Sequence, residues 1–419
     1  MRFLLSLLFV AITINSSAAP RAGVDETLRQ IEPRLVETRR ELHMYPELSN
    51  REFETAKRIS ARLTALGIPH ETGVAKTGIV ATIKGSKPGR TVAIRSDIDA
   101  LPVTETMDIP YKSRNEGVKH ACGHDVHMTV ALGTAEILWK MRAELSGTVI
   151  VVFQPAEEGP PPGEEGGATL MIKEGILEKY KPEAFFALHV WPPIRVGQVA
   201  VVPGPQWASS DRYKITITGR QSHGAAPHNG IDPIVVGAGI VNSLQTIASR
   251  KINPLEPVVV TVGSFHAGTR FNIIPATAEL EGTFRTLSPT VRQTTRESII
   301  RIAKTTAESH GASAEVWFQD DAANPPLVND PDLTAFAIAS LRKSLGAANV
   351  LGNEARAMVA EDHAHFAERV PSVYFCLGVS NPDKGITGNV HTPEFDADED
   401  AIGVGVRAMT NLVLDYLGQ

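Results

Sequence analysis

Apolar residues recur at spacings of three and four over residues 24–44 and again over 51–66, the pattern of two helices that each bury one face. After Gly67 the texture changes to short apolar runs bounded by Gly, Pro and charge. Gly78–Ile83, Thr91–Ile94, Thr148–Phe153 and Ala184–Leu188 are predicted as buried strands. Val126–Leu145 between them is predicted as a helix with Asp125 as its N-cap. Short apolar strands alternating with helices predict an α/β fold with a mostly parallel sheet.

The middle of the chain follows another rhythm. Tyr213–Thr218 alternates apolar and polar residues, Asp232–Ile247 is helical in spacing, and strands are predicted at Val258–Ser264 and Ala278–Thr283. A helix over Val291–Ser309 and a strand over Ala314–Phe318 complete a βαββαβ order, that of a ferredoxin-like α+β unit. Its alternating strands predict one face under helices and one open face suited to packing on a partner. α/β texture then returns with a helix at Pro331–Leu345, a strand at Ser372–Leu377 and a closing helix at Asp398–Leu417. The expected organisation is an α/β domain in two parts, 24–208 and 319–419, interrupted by an inserted domain at 209–318.

The N-terminus sets a location. Arg2, an apolar run from Phe3 to Ile14 and the small residues Ser16 to Ala19 have the layout of a secretory signal peptide, with cleavage expected after Ala18. The run is shorter than the roughly 20 apolar residues of a spanning helix. The expectation is therefore a periplasmic or secreted protein, free of the membrane once residues 1–18 are removed. The 419 residues carry 41 Lys+Arg against 47 Asp+Glu, a formal charge of −6 that argues against broad nucleic-acid binding. Two cysteines exclude a disulfide scaffold and leave open a single Cys122–Cys376 bridge.

Candidate chemistry concentrates at His120-Ala121-Cys122-Gly123-His124-Asp125-Val126-His127, where three imidazoles, a thiol and a carboxylate suit Zn²⁺ or a similar transition metal. Cys122 precedes a predicted helix N-terminus, which favours a thiolate. Glu157 and Glu158 directly follow an apolar strand; a metal can hold one carboxylate while the other serves as a general base. Asp97, His189 and His391 likewise follow predicted strands, and open α/β sheets gather ligands outside the carboxyl ends of their strands. From the inserted domain come His223, set among Gly, Ser and Ala, and later Asn272 and Arg285. Taken singly, His223 reads equally as a surface histidine and Arg285 as half of a surface ion pair.

The motifs Arg-Ser-Asp-Ile-Asp-Ala-Leu-Pro (95–102), His-Ala-Cys-Gly-His-Asp-Val-His (120–127), Phe-Gln-Pro-Ala-Glu-Glu (153–158) and Gly-x-x-x-His (219–223) occur in that order. With His43-x-x-Pro46-Glu47-Leu48, Glu361-Asp362 and His391-Thr392-Pro393, they resemble the N-acyl-amino-acid amidohydrolase branch (hippurate and auxin-conjugate hydrolases) of the aminoacylase/carboxypeptidase metallopeptidase family. The resemblance implies a two-metal centre (Zn²⁺, Mn²⁺, Co²⁺ or Ni²⁺) held by Cys122, His124, Glu158, His189 and His391. It implies Glu157 as general base, His223 as the group that polarises the scissile carbonyl, and Asn272 and Arg285 as holders of the substrate carboxylate. It also implies Asp97 as a carboxylate that orients the metal ligands, and a homodimer formed through the inserted lid. His363 departs from the pattern, standing where relatives carry Phe; His363 and His365 are expected to be surface or pocket residues rather than ligands.

The expected reaction is hydrolysis of a small-molecule N-acyl amino acid to a carboxylate and a free amino acid. A metallo-carboxypeptidase or dipeptidase on the same scaffold is the near alternative. From another class, an exported non-catalytic metal- or ligand-binding protein would need neither Glu157 nor His223.

Overall fold

A computed structural model describes residues 22–320 and 323–418; the expected signal peptide lies outside the described residues. Helices α1 (Ala22–Met44) and α2 (Phe53–Leu66) lead into strands β1 (His70–Val74), β2 (Gly78–Lys84) and β3 (Lys87–Asp97). Helix α3 (His124–Lys140), β4 (Ser146–Gln154), the short helices α4 (Gly167–Lys173) and α5 (Ile176–Tyr180), and β5 (Ala184–Arg195) follow. β6 (Val199–Ala200) and β7 (Gly204–Trp207) precede a separate unit of β8 (Asp211–Thr218), β9 (Ser222–His223), α6 (Pro233–Leu244), β10 (Val258–Ala267), β11 (Ile273–Ile274), β12 (Thr277–Thr286), α7 (Pro289–Ser309) and β13 (Ser313–Phe318). The chain returns through β14 (Leu327–Asn329), α8 (Pro331–Leu345), β15 (Val350–Leu351), α9 (Ala364–Ala367), β16 (Ser372–Ser380) and α10 (Asp400–Tyr416).

The first sheet has the order β1-β2-β4-β3-β5-β16-β6-β15. Its centre, β4-β3-β5-β16, is parallel; β1 and β2 extend it antiparallel at one edge, and β6 pairs antiparallel with β16. The pleat sorts the apolar runs to both faces. Ile79, Val92, Ile94, Val149, Val151, Phe186 and Leu188 pack under α1, α3 and α10, whereas Val80, Ala93, Ile150, Val152 and Phe185 meet Ala168, Met171 and Phe366 from α4 and α9. Helix α3 is buried from His124 to Leu138, which its apolar composition on all sides requires.

The second sheet, β10-β12-β8-β13, is antiparallel throughout and carries α6 and α7 around its own core of Tyr213, Ile215, Ile217, Ile240, Leu280, Phe284 and Ile299. This is the split βαβ arrangement. The face away from the helices is charged, with the ion pairs Arg212–Glu281 and Lys214–Glu279. Among the described residues no helix is long and apolar enough to cross a membrane.

Two local expectations differ from what is seen, and one open alternative is closed. Helix α3 starts at His124 and ends at Lys140, and its N-cap is Gly123 at φ +80° rather than Asp125. Asp125 is already the second residue of the helix: its Oδ2 is held by Arg39 and His43 on α1 at 2.7 and 2.8 Å, and its Oδ1 accepts the Val126 N–H at 3.0 Å. A side chain at 123 would also meet Val190 Cγ2 at 2.5 Å, which reserves that position for glycine. His189 lies inside β5 rather than after it, because β5 continues to Arg195 alongside β16. No disulfide joins Cys122 and Cys376, which are both buried free thiols.

Candidate metal and active site

The parallel strands end at one edge, and their last residues and following loops build the site. Asp97 closes β3, and Cys122 and His124 flank Gly123 at the start of α3. Glu157 and Glu158 follow β4 across a turn at Ala156, and His391 lies in the loop between β16 and α10. His189 reaches in from within β5.

Two of these turns hold a non-glycine residue in the left-handed region, Ala156 at φ +49° and His391 at φ +64°. Such backbone is costly and persists where surrounding structure enforces it. The His391 N–H donates to Ala121 O at 2.7 Å, tying its loop to the Cys122 loop.

Cys122 Sγ lies 3.3 Å from His189 Nε2 and 3.2 Å from His391 Nε2. Glu158 Oε1 lies 3.4 Å from His391 Nε2 and 3.8 Å from His124 Nε2. The donor atoms form two groups that share the thiol, Cys122/His124/His189 and Cys122/Glu158/His391, each with its atoms within 4.8 Å of one another. Glu158 Oε1 and His124 Nε2 are buried without a hydrogen-bond partner, and His124 Nδ1 lies 3.3 Å from Asp99 Oδ1. Buried polar atoms are normally satisfied, and thiol, imidazole and carboxylate donors suit a divalent transition metal, so the residues present fit such ions.

The electrostatics agree with that fit. Burial opposes a charge on His124, yet Asp97, Asp99 and Glu158 overcome it and push the imidazole up to about 10. Burial, then the Glu158 and Glu157 carboxylates, drives the Cys122 thiol well up, against the thiolate expected from the helix N-terminus; a bound cation would favour the thiolate. Burial, then Glu361 and Glu158, raises the Glu157 carboxyl well above the usual range. His189 donates Nδ1–H to Val190 O at 2.7 Å, which leaves Nε2 free as a donor to metal.

Asp97 is fully buried, accepting from Arg95 Nη1 at 2.9 Å and bonding His127 Nδ1 at 2.6 Å. Arg95 also pairs with Glu361 at 2.9 Å and Asp362 at 2.8 Å. The sequence alone assigns no role to His127 or Arg95; their place in the dense motifs is the one signal that marks them.

A cavity of about 530 Å³ opens over the donors, lined by Cys122, Glu157, Glu158, His189 and His391 and also by Trp191, Trp207 and Arg285. Arg285 makes no side-chain hydrogen bond or ion pair among the described residues, and the nearby Asp211 carboxylate is engaged by Arg292 at 2.7 Å. His223 and Asn272 do not line this cavity. They sit on the β9–β11 ladder, where His223 pairs with Ile273 and Gly224 N–H donates to Asn272 O, and His223 is exposed. His363 is fully buried among Phe185, Phe366 and Tyr374, so it is neither a surface residue nor part of the cavity lining.

The model of peptidase family M20/M25/M40 matches residues 93–415. The chain is 38% identical over 390 residues to thermostable carboxypeptidase 1 of Saccharolobus solfataricus, covering 93% of this chain and 97% of that one. It is also 38% identical over 391 residues to an N-acetylcysteine deacetylase of Bacillus subtilis, covering 92% and 97%. A Bacillus subtilis crystal structure described as a dinuclear metal-binding peptidase of the M20 family superposes with a TM-score of 0.80 at 34% identity, covering 93% of this chain and 99% of that one. The chain belongs to the M20/M25/M40 peptidase family, within its amidohydrolase branch, and is a hydrolase of amide bonds.

Proposed function

We propose that this protein hydrolyses N-acyl amino acids to a carboxylate and a free amino acid. The observation that carries the reading is Arg285, a cation without a partner among the described residues, in the same cavity as the candidate metal ligands. A guanidinium so placed recognises a free carboxylate, the feature that an acylated amino acid retains.

Cys122, His124, Glu158, His189 and His391 would hold two divalent ions, whose Lewis acidity would activate water and polarise the amide carbonyl. Glu157, in the cavity lining beside Glu158, takes the water proton and returns it to the leaving nitrogen. Arg95 and His127 fix Asp97, whose carboxylate lies 3.7 Å from His124 Nε2, while Asp99 Oδ1, 3.3 Å from His124 Nδ1, orients the ring. Arg285 fixes the substrate carboxylate and so the amide above the donors.

His223 and Asn272 are proposed to complete the cavity of a second copy. His223 Nδ1 accepts the Ala225 N–H at 2.9 Å, so the neutral ring carries its proton on Nε2, ready to donate to a carbonyl oxygen. Phe271, beside Asn272, is 98% exposed, an apolar surface that a second copy would cover. Mixing inactive Glu157→Gln and His223→Ala chains tests this: partial recovery of turnover supports a shared site, and none contradicts it.

The 38% identity to a carboxypeptidase favours a second reading, peptide cleavage at the same centre. A panel of acetyl- and benzoyl-amino acids, their carboxamide counterparts and dipeptides, assayed with Zn²⁺- or Mn²⁺-loaded enzyme, separates the two. We expect cleavage of acyl amino acids with a free carboxylate and slow cleavage of the carboxamides; preference for dipeptides would favour the second reading. Export is proposed from residues 1–20 alone, and N-terminal sequencing of the protein from the cell envelope tests it.

A further inference from the structure

Glu52 stands at the N-cap of α2 but makes no side-chain cap there; Glu47 Oε2 instead accepts the Thr55 N–H at 2.8 Å. The Glu52 carboxylate is fully buried and turned away from its own helix. Its Oε1 accepts the Ala156 N–H at 2.9 Å and its Oε2 accepts the Thr77 hydroxyl at 2.7 Å. Ala156 is the left-handed residue, at φ +49°, from which Glu157 and Glu158 extend. The same segment supports the turn a second time: Ser49 Oγ donates to Asp99 Oδ2 at 2.7 Å, and Asp99 Oδ2 accepts the Glu158 N–H at 3.0 Å. A residue that forgoes its local role for a distant, strained backbone site marks a functional constraint.

We propose that Glu52 is a positioning residue that holds Ala156 in its left-handed conformation and thereby sets Glu157 and Glu158 at the cavity. This rests on the reading that both carboxylates work there. Neither Glu52 nor Ala156 lines the cavity, so their effect passes through the turn.

The test is Zn²⁺ titration of the apo-protein, with kcat and KM on N-acetyl-L-cysteine measured in parallel. Glu52→Leu is expected to weaken Zn²⁺ binding and lower kcat by about 10- to 100-fold, with little change in KM. Glu52→Gln keeps both hydrogen bonds, the amide oxygen accepting from Ala156 and the NH₂ donating to the Thr77 hydroxyl, and should remain near natural. Ala156→Gly, which adopts positive φ without strain, should recover most of the Glu52→Leu loss. A Glu52→Leu protein with natural affinity, or a loss that Ala156→Gly leaves untouched, overturns the proposal. Should Glu52→Leu not fold, Glu52→Gln decides: near-natural affinity supports the proposal, and a loss as large as that of Glu158→Gln overturns it. Natural Zn²⁺ affinity in Glu158→Gln would instead sink the underlying reading of the site.

Discussion

His127 Nε2 accepts the Val190 backbone N–H at 2.9 Å, which places the ring proton on Nδ1 and aims it at Asp97, 2.6 Å away. Both nitrogens are therefore committed, and His127 joins β5, the strand of His189, to the carboxylate beside His124. We expect His127→Leu to weaken Zn²⁺ binding by about 10- to 100-fold in a folded protein, measured by titration. Unchanged affinity would remove His127 from the support of the site.

Arg285 should act on substrate rather than metal. A charge-assisted hydrogen bond contributes about 1.5–3 kcal/mol, so Arg285→Met should lower kcat/KM for a free-carboxylate substrate by roughly 10- to 150-fold. Activity on the matching carboxamide should change little, and Zn²⁺ content should stay natural. Equal losses on both substrates would contradict the assignment.

Glu105 links folding to pH. Burial works against its charge, but hydrogen bonds from His43 and the Ser113 N–H, together with the charges of His43 and Lys119, bring its carboxyl down to about 2. A carboxyl lower in the folded than in the unfolded chain stabilises fully above the unfolded value of about 4.3, and that contribution fades as pH falls toward about 2. The Tm gap between the natural protein and Glu105→Gln should be widest above about pH 5 and close toward about pH 2. A constant gap across that range would contradict the pairing.

The central strands were legible because Val92, Ile94, Val149 and Val151 belong to unbroken apolar runs buried on both sheet faces. β1, His-Glu-Thr-Gly-Val, is an edge strand that buries almost nothing and leaves no periodic trace. The Cys122–His127 cluster was legible from its local density of ligands. Its supports were not, since Arg39 meets Asp125 across 86 positions, Arg95 meets Asp362 across 267 and Glu52 meets Ala156 across 104. Asp125 illustrates the reason: local capping preference gave way to a buried ion pair that only the folded chain assembles.

The division of labour between Glu157 and Glu158 is the centre of the proposed chemistry. Metal content and turnover of Glu157→Gln and Glu158→Gln, measured side by side with the natural protein, test it most directly. Glu157→Gln should keep its metal while kcat falls by at least about 10²-fold, and Glu158→Gln should lose metal. Equal metal loss in the two variants, or natural turnover in Glu157→Gln, would contradict it.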